Sequence, residues 1–225
     1  MLEMPRFSIT GYRQLLTALT SADYRIVPTD SPDQDGPTCL LRHDVDIHLE
    51  SAELIASIER EYGASSTWFV PVTFCFNVMH EPNQRMLRNL VALGHSIGLH
   101  YDPDQTQGIE DIHFQVRLLE RATGTRIRSI TAHKPGHSKR GLRQSAYLQP
   151  SHRNYVSDSA RRWRDDNLLK LIEGREDFML LTHHEHWLSG EDGLLNHFAD
   201  SILPRTVKQA HAHASLTLND CLTHR

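Results

Sequence analysis

Short apolar runs alternate with longer amphipathic stretches along most of the chain. The short runs are rich in β-branched, aromatic and aliphatic residues and predict strands, whereas the longer stretches carry apolar residues at helical spacing and are each followed by a glycine. The predicted strands cover 38–42, 66–70, 96–100, 127–131, 155–157 and 178–182. The predicted helices cover 49–62, 83–93, 109–123 and 168–173. This regular alternation indicates parallel strands joined by helical crossovers.

The pattern predicts a single α/β domain over 1–225, built as an open sheet or as a (β/α) barrel. Residues 1–37 form a helical lead-in with an amphipathic stretch from Ile9 to Leu19, and residues 38–187 carry the strand–helix alternation. Residues 188–225 form a C-terminal helical segment, in which we expect a helix over 194–214 interrupted near Pro204. The first strand is not followed by Gly-x-Gly-x-x-Gly, so dinucleotide binding of the Rossmann type is not supported.

Histidine and aspartate follow almost every predicted strand at its C-terminal end. These segments are His43 to Asp46, His100 to Asp104, His133 to Lys134, Asp158, and His183 to His186. In a parallel α/β barrel the C-terminal strand ends all open onto one face, and the active site is built there. Residues that lie far apart in the sequence are therefore expected to converge on one site.

Imidazole and carboxylate groups together are ligands for zinc, cobalt, nickel or iron. A catalytic site of this kind uses three protein ligands and leaves a position for water, whose pKa the metal lowers towards about 7. A nearby carboxylate can then accept a proton, and a histidine across the site can donate one to a leaving group. Asp44 and Asp46, two residues apart, are able to divide the roles of base and ligand.

Composition narrows the class of protein further. The 225 residues include 24 Lys and Arg against 28 Asp and Glu, a net charge of −4 without a block of like charges, which argues against nucleic acid or an anionic membrane as the main partner. The 39% of hydrophobic residues supply a core, yet no apolar run reaches the length of a membrane span. The three cysteines form neither a disulfide framework nor a Cys-x-x-Cys zinc site. The N-terminal residues do not resemble a signal peptide, so we expect a cytoplasmic protein.

Taken in order, the motifs resemble those of the polysaccharide deacetylases, the carbohydrate esterase family 4 or NodB-homology superfamily. The resemblance runs over about 38–187, and the branch with His-Asp-Val-Asp is the most similar. The motifs are Arg42-His-Asp-Val-Asp46, Leu93-Gly-His-Ser-Ile-Gly-Leu-His-Tyr-Asp102, His133-Lys-Pro-Gly136, Tyr155-Val-Ser-Asp-Ser159 with Trp163, and Leu180-Leu-Thr-His183 with Trp187. The resemblance implies a distorted (β/α)7 barrel, one divalent metal ion with zinc as the first expectation, and hydrolysis of an N-acetyl group on an amino sugar.

By the same resemblance, Asp44 matches the catalytic base and His183 the general acid. Asp46 and His100 match metal ligands. Asp102 is the expected third ligand because the branch has aspartate there, with Asp104 and His133 as alternatives. Val45 separates two aspartates that are usually adjacent.

A second group of residues is expected to bind substrate or to support the site: His43, Tyr101, His133, Lys134, Asp158 and Trp163. His43 is expected either to orient Asp44 or to ligate the metal. Trp163 and Trp187 are expected either to stack on a sugar or to pack in the core. On an extended segment, His184 and His186 would point away from the side of His183.

The expected substrate is an intracellular sugar or sugar-linked precursor, as in the biosynthesis of cell-surface polysaccharides. Two alternatives stay open at this stage. One is a hydrolase of another C–N bond, such as a formamide or cyclic amide on a small metabolite. The other is a non-catalytic, sugar-binding or regulatory member of the fold, because the family's His-x-x-x-His spacing is broken at Asp104.

Overall fold

We describe a computed structural model of the 225-residue chain. The structure describes residues 3–32, 35–73, 77–133, 147–148, 150–163, 167–188, 190, 194–208, 210–211 and 215. No helix in these ranges is long and apolar enough to cross a membrane.

The strands and helices alternate along the chain as the sequence predicts. The strands are β1 (Arg25–Val27), β2 (Thr38–Asp44), β3 (Thr67–Val70), β4 (Ser96–Tyr101), β5 (Ile130–Ala132), β6 (Tyr155–Ser157) and β7 (Phe178–Thr182). The α-helices are α1 (Ile9–Ser21), α2 (Ala52–Glu61), α3 (Glu81–Ala92), α4 (Ile109–Thr123), α5 (Asn167–Gly174) and α6 (Leu194–His197). A 3₁₀ turn covers His184–Trp187, and a π-helical turn covers Phe198–Ile202.

Within the described residues, the seven strands form one parallel sheet. Six of them follow the order β5-β4-β3-β2-β7-β6, and the seventh, β1, pairs with the first half of β2, whereas β3 pairs with its second half. The helices α2, α3 and α4 link successive strands, as parallel pairing requires. In the part of the chain that the structure describes, β5 and β6 are not paired with each other, so the barrel is open between them. The predicted distorted (β/α) barrel is confirmed.

The helices begin and end where local chemistry favours it. Ser8 caps α1, its hydroxyl accepting the N–H of Gly11 at 3.0 Å. Helix α4 carries Glu110 and Asp111 in its first turn, where the helix dipole favours negative charge. It ends at Gly124, whose φ of +73° is a left-handed conformation that favours glycine.

A buried polar cluster crosses the core between the sheet and its helices. The Glu59 carboxylate on α2 accepts hydrogen bonds from Tyr12 of α1 and from Ser66 at 2.7 Å, and lies 2.5 Å from His43 Nε2 and 3.4 Å from His95 Nδ1. The side chains of these five residues are almost fully buried. Because unpaired buried polar groups are costly, this cluster fixes how α1 and α2 pack on the sheet.

Two terminal regions differ from the sequence-based expectation. The region 1–37 contains strand β1 as well as helix α1, which the run of only three strand residues did not reveal. The predicted helix over 194–214 is interrupted by the π-helical turn Phe198–Ile202, which lies before Pro204, and α-helix follows over 203–208. Predicted positions beyond 208 lie largely outside the described residues.

Candidate active site

One cavity opens at the C-terminal ends of the strands and is lined by five of the predicted site residues. Its volume is about 760 Å³, within the range of about 300–1,000 Å³ that is usual for small-molecule sites. It is lined by Asp44 and Asp46 after β2, His100 on β4, His133 after β5 and His183 after β7. The parallel sheet therefore brings these side chains together as the sequence predicts.

Asp46, His100 and His133 form the first of two groups whose ligand atoms converge among the described residues. His100 Nε2 lies 3.4 Å from Asp46 Oδ1, His133 Nδ1 lies 3.3 Å from the same oxygen, and the two nitrogens are 3.2 Å apart. Two ring nitrogens and a carboxylate oxygen that point at one another form a donor set suited to zinc or a similar divalent ion. These three residues fit the divalent metal ion that the sequence resemblance implies.

The geometry favours His133 over Asp102 and Asp104 as the third ligand. The Asp102 carboxylate turns back on its own loop, accepting from the Asp104 N–H at 2.9 Å and from Gln105 Nε2 at 2.8 Å. Asp104 is exposed, and neither aspartate lines the cavity. His133 follows β5 directly, and its N–H donates to the carbonyl of Tyr101 on β4 at 2.8 Å. Continued backbone pairing past the end of β5 thus aims His133 at His100.

Asp44 is held by Arg42, its neighbour on the same face of β2. The guanidinium makes three hydrogen bonds to the carboxylate, at 3.0 and 2.7 Å to Oδ1 and 2.6 Å to Oδ2. Arg42 itself packs over the ring of Phe69, which is close to Gly98, where a Cβ would collide with that ring. Asp44 Oδ2 also lies 3.8 Å from His100 Nε2, so the oriented carboxylate faces the candidate metal cluster.

His183 lies on the other side of Asp46 and belongs to the second group of converging ligand atoms, with Asp158 and His186. Its Nδ1 is 2.6 Å from Asp158 Oδ1, and its backbone N–H donates to Oδ2 at 2.9 Å. Its Nε2 is 3.6 Å from Asp46 Oδ2. Asp158 therefore fixes the ring with Nδ1 turned away from the cavity and Nε2 turned towards the first cluster.

The electrostatics of these pairs favour charged forms. Burial alone would lower the pKa of His183, but the Asp158 carboxylate, with a smaller contribution from Asp46, raises the pKa to about 10. Burial would raise the pKa of Asp158, yet His183 and His186 hold that pKa below its ordinary value. Burial would also raise the pKa of Asp46. Hydrogen bonds from His100 and His133 outweigh that effect and hold the pKa of Asp46 well below its ordinary value.

The 3₁₀ turn after β7 overturns one expectation about neighbouring histidines. An extended segment would place His186 opposite His183, but the turn brings His186 Nδ1 to 3.2 Å from Asp158 Oδ2 and its ring beside that of His183. His184 points the other way, is fully buried and lies against Trp68. Of these two neighbours, His184 therefore faces away from the site as expected, and His186 does not.

The remaining predicted residues that the structure describes lie outside the cavity lining. His43 is buried on the opposite face of β2, where its ring stacks on Trp68 with centroids 4.1 Å apart and its Nδ1 lies 2.8 Å from Thr182 Oγ1. It belongs to neither ligand group, so its contacts favour neither metal ligation nor direct contact with Asp44. The side chain of Tyr101 is buried, and Lys134 lies outside the described residues.

The two tryptophans pack rather than face the cavity. Trp163 stacks on Phe7 with centroids 5.4 Å apart and donates its ring N–H to the Pro5 carbonyl at 3.0 Å. Trp187 is fully buried between Phe7 and Tyr12.

Sequence reasoning assigned no role to several residues that line this cavity. Arg42 stands inside the first motif, and its spacing of two from Asp44 on a strand would have placed both on one face. The position of His186 in the cavity lining could not be predicted without knowledge of the 3₁₀ turn. Tyr155, Phe198 and Ile202 also line the cavity, and the last two come from the C-terminal segment, which carries no motif.

Comparison with known proteins identifies the fold. No family model matches the sequence, and no curated protein matches it. The structure is similar to the chitin deacetylase from the fungal pathogen Colletotrichum lindemuthianum, with a TM-score of 0.50, 17% identity, and coverage of 78% of this chain and 83% of that one. It is also similar to the peptidoglycan deacetylase PdaC from Bacillus subtilis, with a TM-score of 0.51, 16% identity, and coverage of 81% and 97%. The predicted deacetylase fold is thereby confirmed.

Proposed function

We propose that this chain, which has the fold of polysaccharide deacetylases, is a metal-dependent hydrolase that removes an N-acetyl group from an amino sugar or a sugar-linked precursor. The observation that carries the proposal is the convergence of three functions on one cavity. These are a ligand set (Asp46, His100 and His133), an oriented carboxylate (Asp44) and an oriented imidazole (His183). Two structures with the same fold are named as deacetylases of chitin and peptidoglycan.

Asp46, His100 and His133 hold the divalent ion in this proposal, with zinc as the first choice. When bound, such an ion polarises an amide carbonyl and lowers the pKa of water towards about 7. His133 replaces Asp102 in our assignment because its Nδ1 is the atom that meets His100 Nε2.

Asp44 accepts the proton of the attacking water. A carboxylate offers about four lone-pair sites, and Arg42 occupies three of them. The remaining site is on Oδ2, the oxygen that lies 3.8 Å from His100 Nε2. Arg42 thus leaves free the part of Asp44 that faces the reacting groups.

His183 donates a proton to the leaving nitrogen. Hydrolysis of an amide requires this step because an amide anion is a poor leaving group. Asp158 keeps the ring protonated and directs Nε2 into the cavity. Asp44 faces the ligand cluster at His100 and His183 faces it at Asp46, so in this proposal the amide lies at the cluster within reach of both.

Acetate release tests the proposal. The protein, stripped of metal and reloaded with zinc, is incubated with N-acetylglucosamine, its β-1,4-linked oligomers and UDP-N-acetylglucosamine, and acetate and formate are measured separately. We expect zinc-dependent acetate release from at least one substrate and its loss on chelation, with Asp44→Asn as the matched inactive variant. Formate release from N-formyl analogues without acetate release would favour the alternative C–N hydrolase. Absence of both products from the zinc-loaded protein contradicts the proposal.

The expectation that the enzyme meets its substrate inside the cell stays a prediction. Cell fractionation followed by detection of the chain in each fraction tests it directly.

A further inference from the structure

A π-helical turn of the C-terminal segment forms one wall of the active-site cavity. Phe198 and Ile202, at the two ends of this turn, both line the cavity, together with His197 immediately before it. π-Helical turns are rare and occur frequently at functional sites.

This wall is fixed to the rest of the fold. Ile202 and His197 are almost fully buried, and the ring of His197 contacts that of His186 edge-on with centroids 5.8 Å apart. Further along, Arg205 Nη1 lies 3.3 Å from the hydroxyl of Ser51 at the start of α2. Phe198, in contrast, is 42% exposed although it is a large apolar side chain. Ligand cavities are lined mainly by hydrophobic and aromatic side chains, so an accessible apolar ring at the cavity wall is suited to contact a ligand.

The wall lies on the side of the cavity that faces the leaving group, an assignment that rests on the proposed function. The rings of His183 and His186 are 4.9 Å apart, and His186 in turn contacts His197. These contacts lead from the proton donor directly to the π-helical turn. Since His183 protonates the nitrogen of the amide, the group attached to that nitrogen extends towards Phe198, whereas the acyl group lies on the other side of the reacting carbon.

A second accessible aromatic residue lines the same cavity. Tyr155 on β6 is 46% exposed. β6 pairs with β7, the strand that His183 follows, and the charges of Arg42 and Asp44 also act on the Tyr155 hydroxyl.

We propose that the accessible rings of Phe198 and Tyr155, with the buried Ile202 in the same wall as Phe198, form a subsite that binds an apolar face of the amine-bearing part of the substrate. Two sources supply this chemistry: the C–H face of the pyranose ring itself, or an apolar group attached to the sugar. A pair of aromatic rings, such as Phe198 with a phenyl group on the sugar, contributes about 0.5–1.5 kcal/mol beyond the area it buries, equivalent to about 2- to 13-fold in affinity.

Binding titrations of the zinc-loaded protein test the subsite. The probes are methyl and phenyl N-acetyl-β-glucosaminide. Dissociation constants are measured by calorimetry in the Asp44→Asn background, which prevents turnover of the probes, for the otherwise wild-type protein and for Phe198→Ala, Phe198→Leu and Leu195→Ala. Leu195 is the matched control, because it lies on α6 near Phe198, is 84% exposed and does not line the cavity. Thermal melting curves check that each variant is folded.

We expect Phe198→Ala to weaken binding about 3- to 10-fold, Phe198→Leu to weaken it less, and Leu195→Ala to leave it unchanged. Equal weakening for both probes identifies the pyranose face, and weakening for the phenyl glycoside alone identifies an attached apolar group. Binding of neither probe by the otherwise wild-type protein, or binding that Phe198→Ala leaves unchanged, overturns the subsite. Acetate release does not enter these titrations, so a failure of the proposed reaction is recognised separately, by the absence of product.

Discussion

The charge of Asp158 controls the protonation of His183, and the substitution Asp158→Asn isolates that charge. Asparagine has the same size and keeps one acceptor oxygen. It therefore retains a hydrogen bond to the ring, which in the wild type is 2.6 Å long, but loses the negative charge. In the wild type, Asp158 Oδ2 accepts from the His183 backbone N–H and faces His186. In the variant, the amide nitrogen takes the place of one of the two carboxylate oxygens.

The size of the effect follows from the causes of the raised pKa. Burial lowers the pKa of His183, and Asp158 is the main group that raises it to about 10. Without that charge we expect the pKa to fall to about 6.5 or lower, which corresponds to roughly 5 kcal/mol of lost preference for the protonated ring. In the wild type, the attraction between Asp158 and the protonated His183 stabilises the folded state. This stabilisation is complete below pH ~6.5 and is lost as the pH rises towards about 10, whereas the variant lacks it.

Two measurements follow this change. The alkaline limb of the pH profile of acetate release should move to lower pH in Asp158→Asn, because His183 must be protonated to act as an acid. Proton and nitrogen NMR titration of the His183 ring should give the same fall in pKa without depending on turnover. Asp102→Asn is the control, since the hydrogen bonds of that carboxylate within the described part of the chain are to its own loop. An alkaline limb and a ring pKa that stay at their wild-type positions in a folded Asp158→Asn protein would refute the reasoning.

Three further predictions concern other parts of the structure. His133→Ala should reduce bound zinc well below one equivalent in elemental analysis while Asp102→Ala keeps it, and the reverse pattern would return the third ligand to Asp102. Asp44→Asn should retain zinc and lose about 10²–10⁴-fold in the rate of acetate release, the usual contribution of a positioned base; loss of zinc would instead make Asp44 a ligand. Glu59→Ala should lower the free energy of unfolding by about 3–5 kcal/mol in urea titrations, because it leaves buried partners unpaired. Glu61→Ala, at an exposed ion pair on the same helix, should leave the urea midpoint unchanged, and equal midpoints for the two variants would contradict a structural role for the cluster.

The sequence predicts the main sheet and the site residues that stand at strand ends, because strand ends in a parallel sheet share one face. Asp44, Asp46, His100 and His183 all reach the cavity for this reason. The resemblance makes Asp102 the expected third ligand, whereas the geometry favours the alternative His133, whose position depends on where β5 ends. The predicted strand stops at 131, whereas β5 ends at Ala132 and holds His133 against β4.

Local backbone geometry explains the other differences. Alternation of side chains holds only in extended segments, so the 3₁₀ turn at His184–Trp187 brings His186 into the site against expectation. The contribution of Phe198 and Ile202 depends on how a C-terminal segment packs across the sheet, which sequence periodicity does not specify. Strand β1 is too short to be distinguished from a loop by its pattern.

The position of β2 between β3 and β7 has a consequence for how the chain is made. β2 and β7 are paired from Cys39 with Phe178 to His43 with Thr182, partners that are 139 residues apart. During synthesis, β2 leaves the ribosome early and meets β3 soon afterwards, but its other edge has no partner until nearly all of the sheet has been translated. An unpaired edge of a central apolar strand invites pairing with another nascent chain, and contacts of such long sequence separation form slowly. Asp44, the proposed base at the end of β2, therefore sits on a strand whose second edge stays unpaired until β7 has been made, so the site cannot be complete before that point.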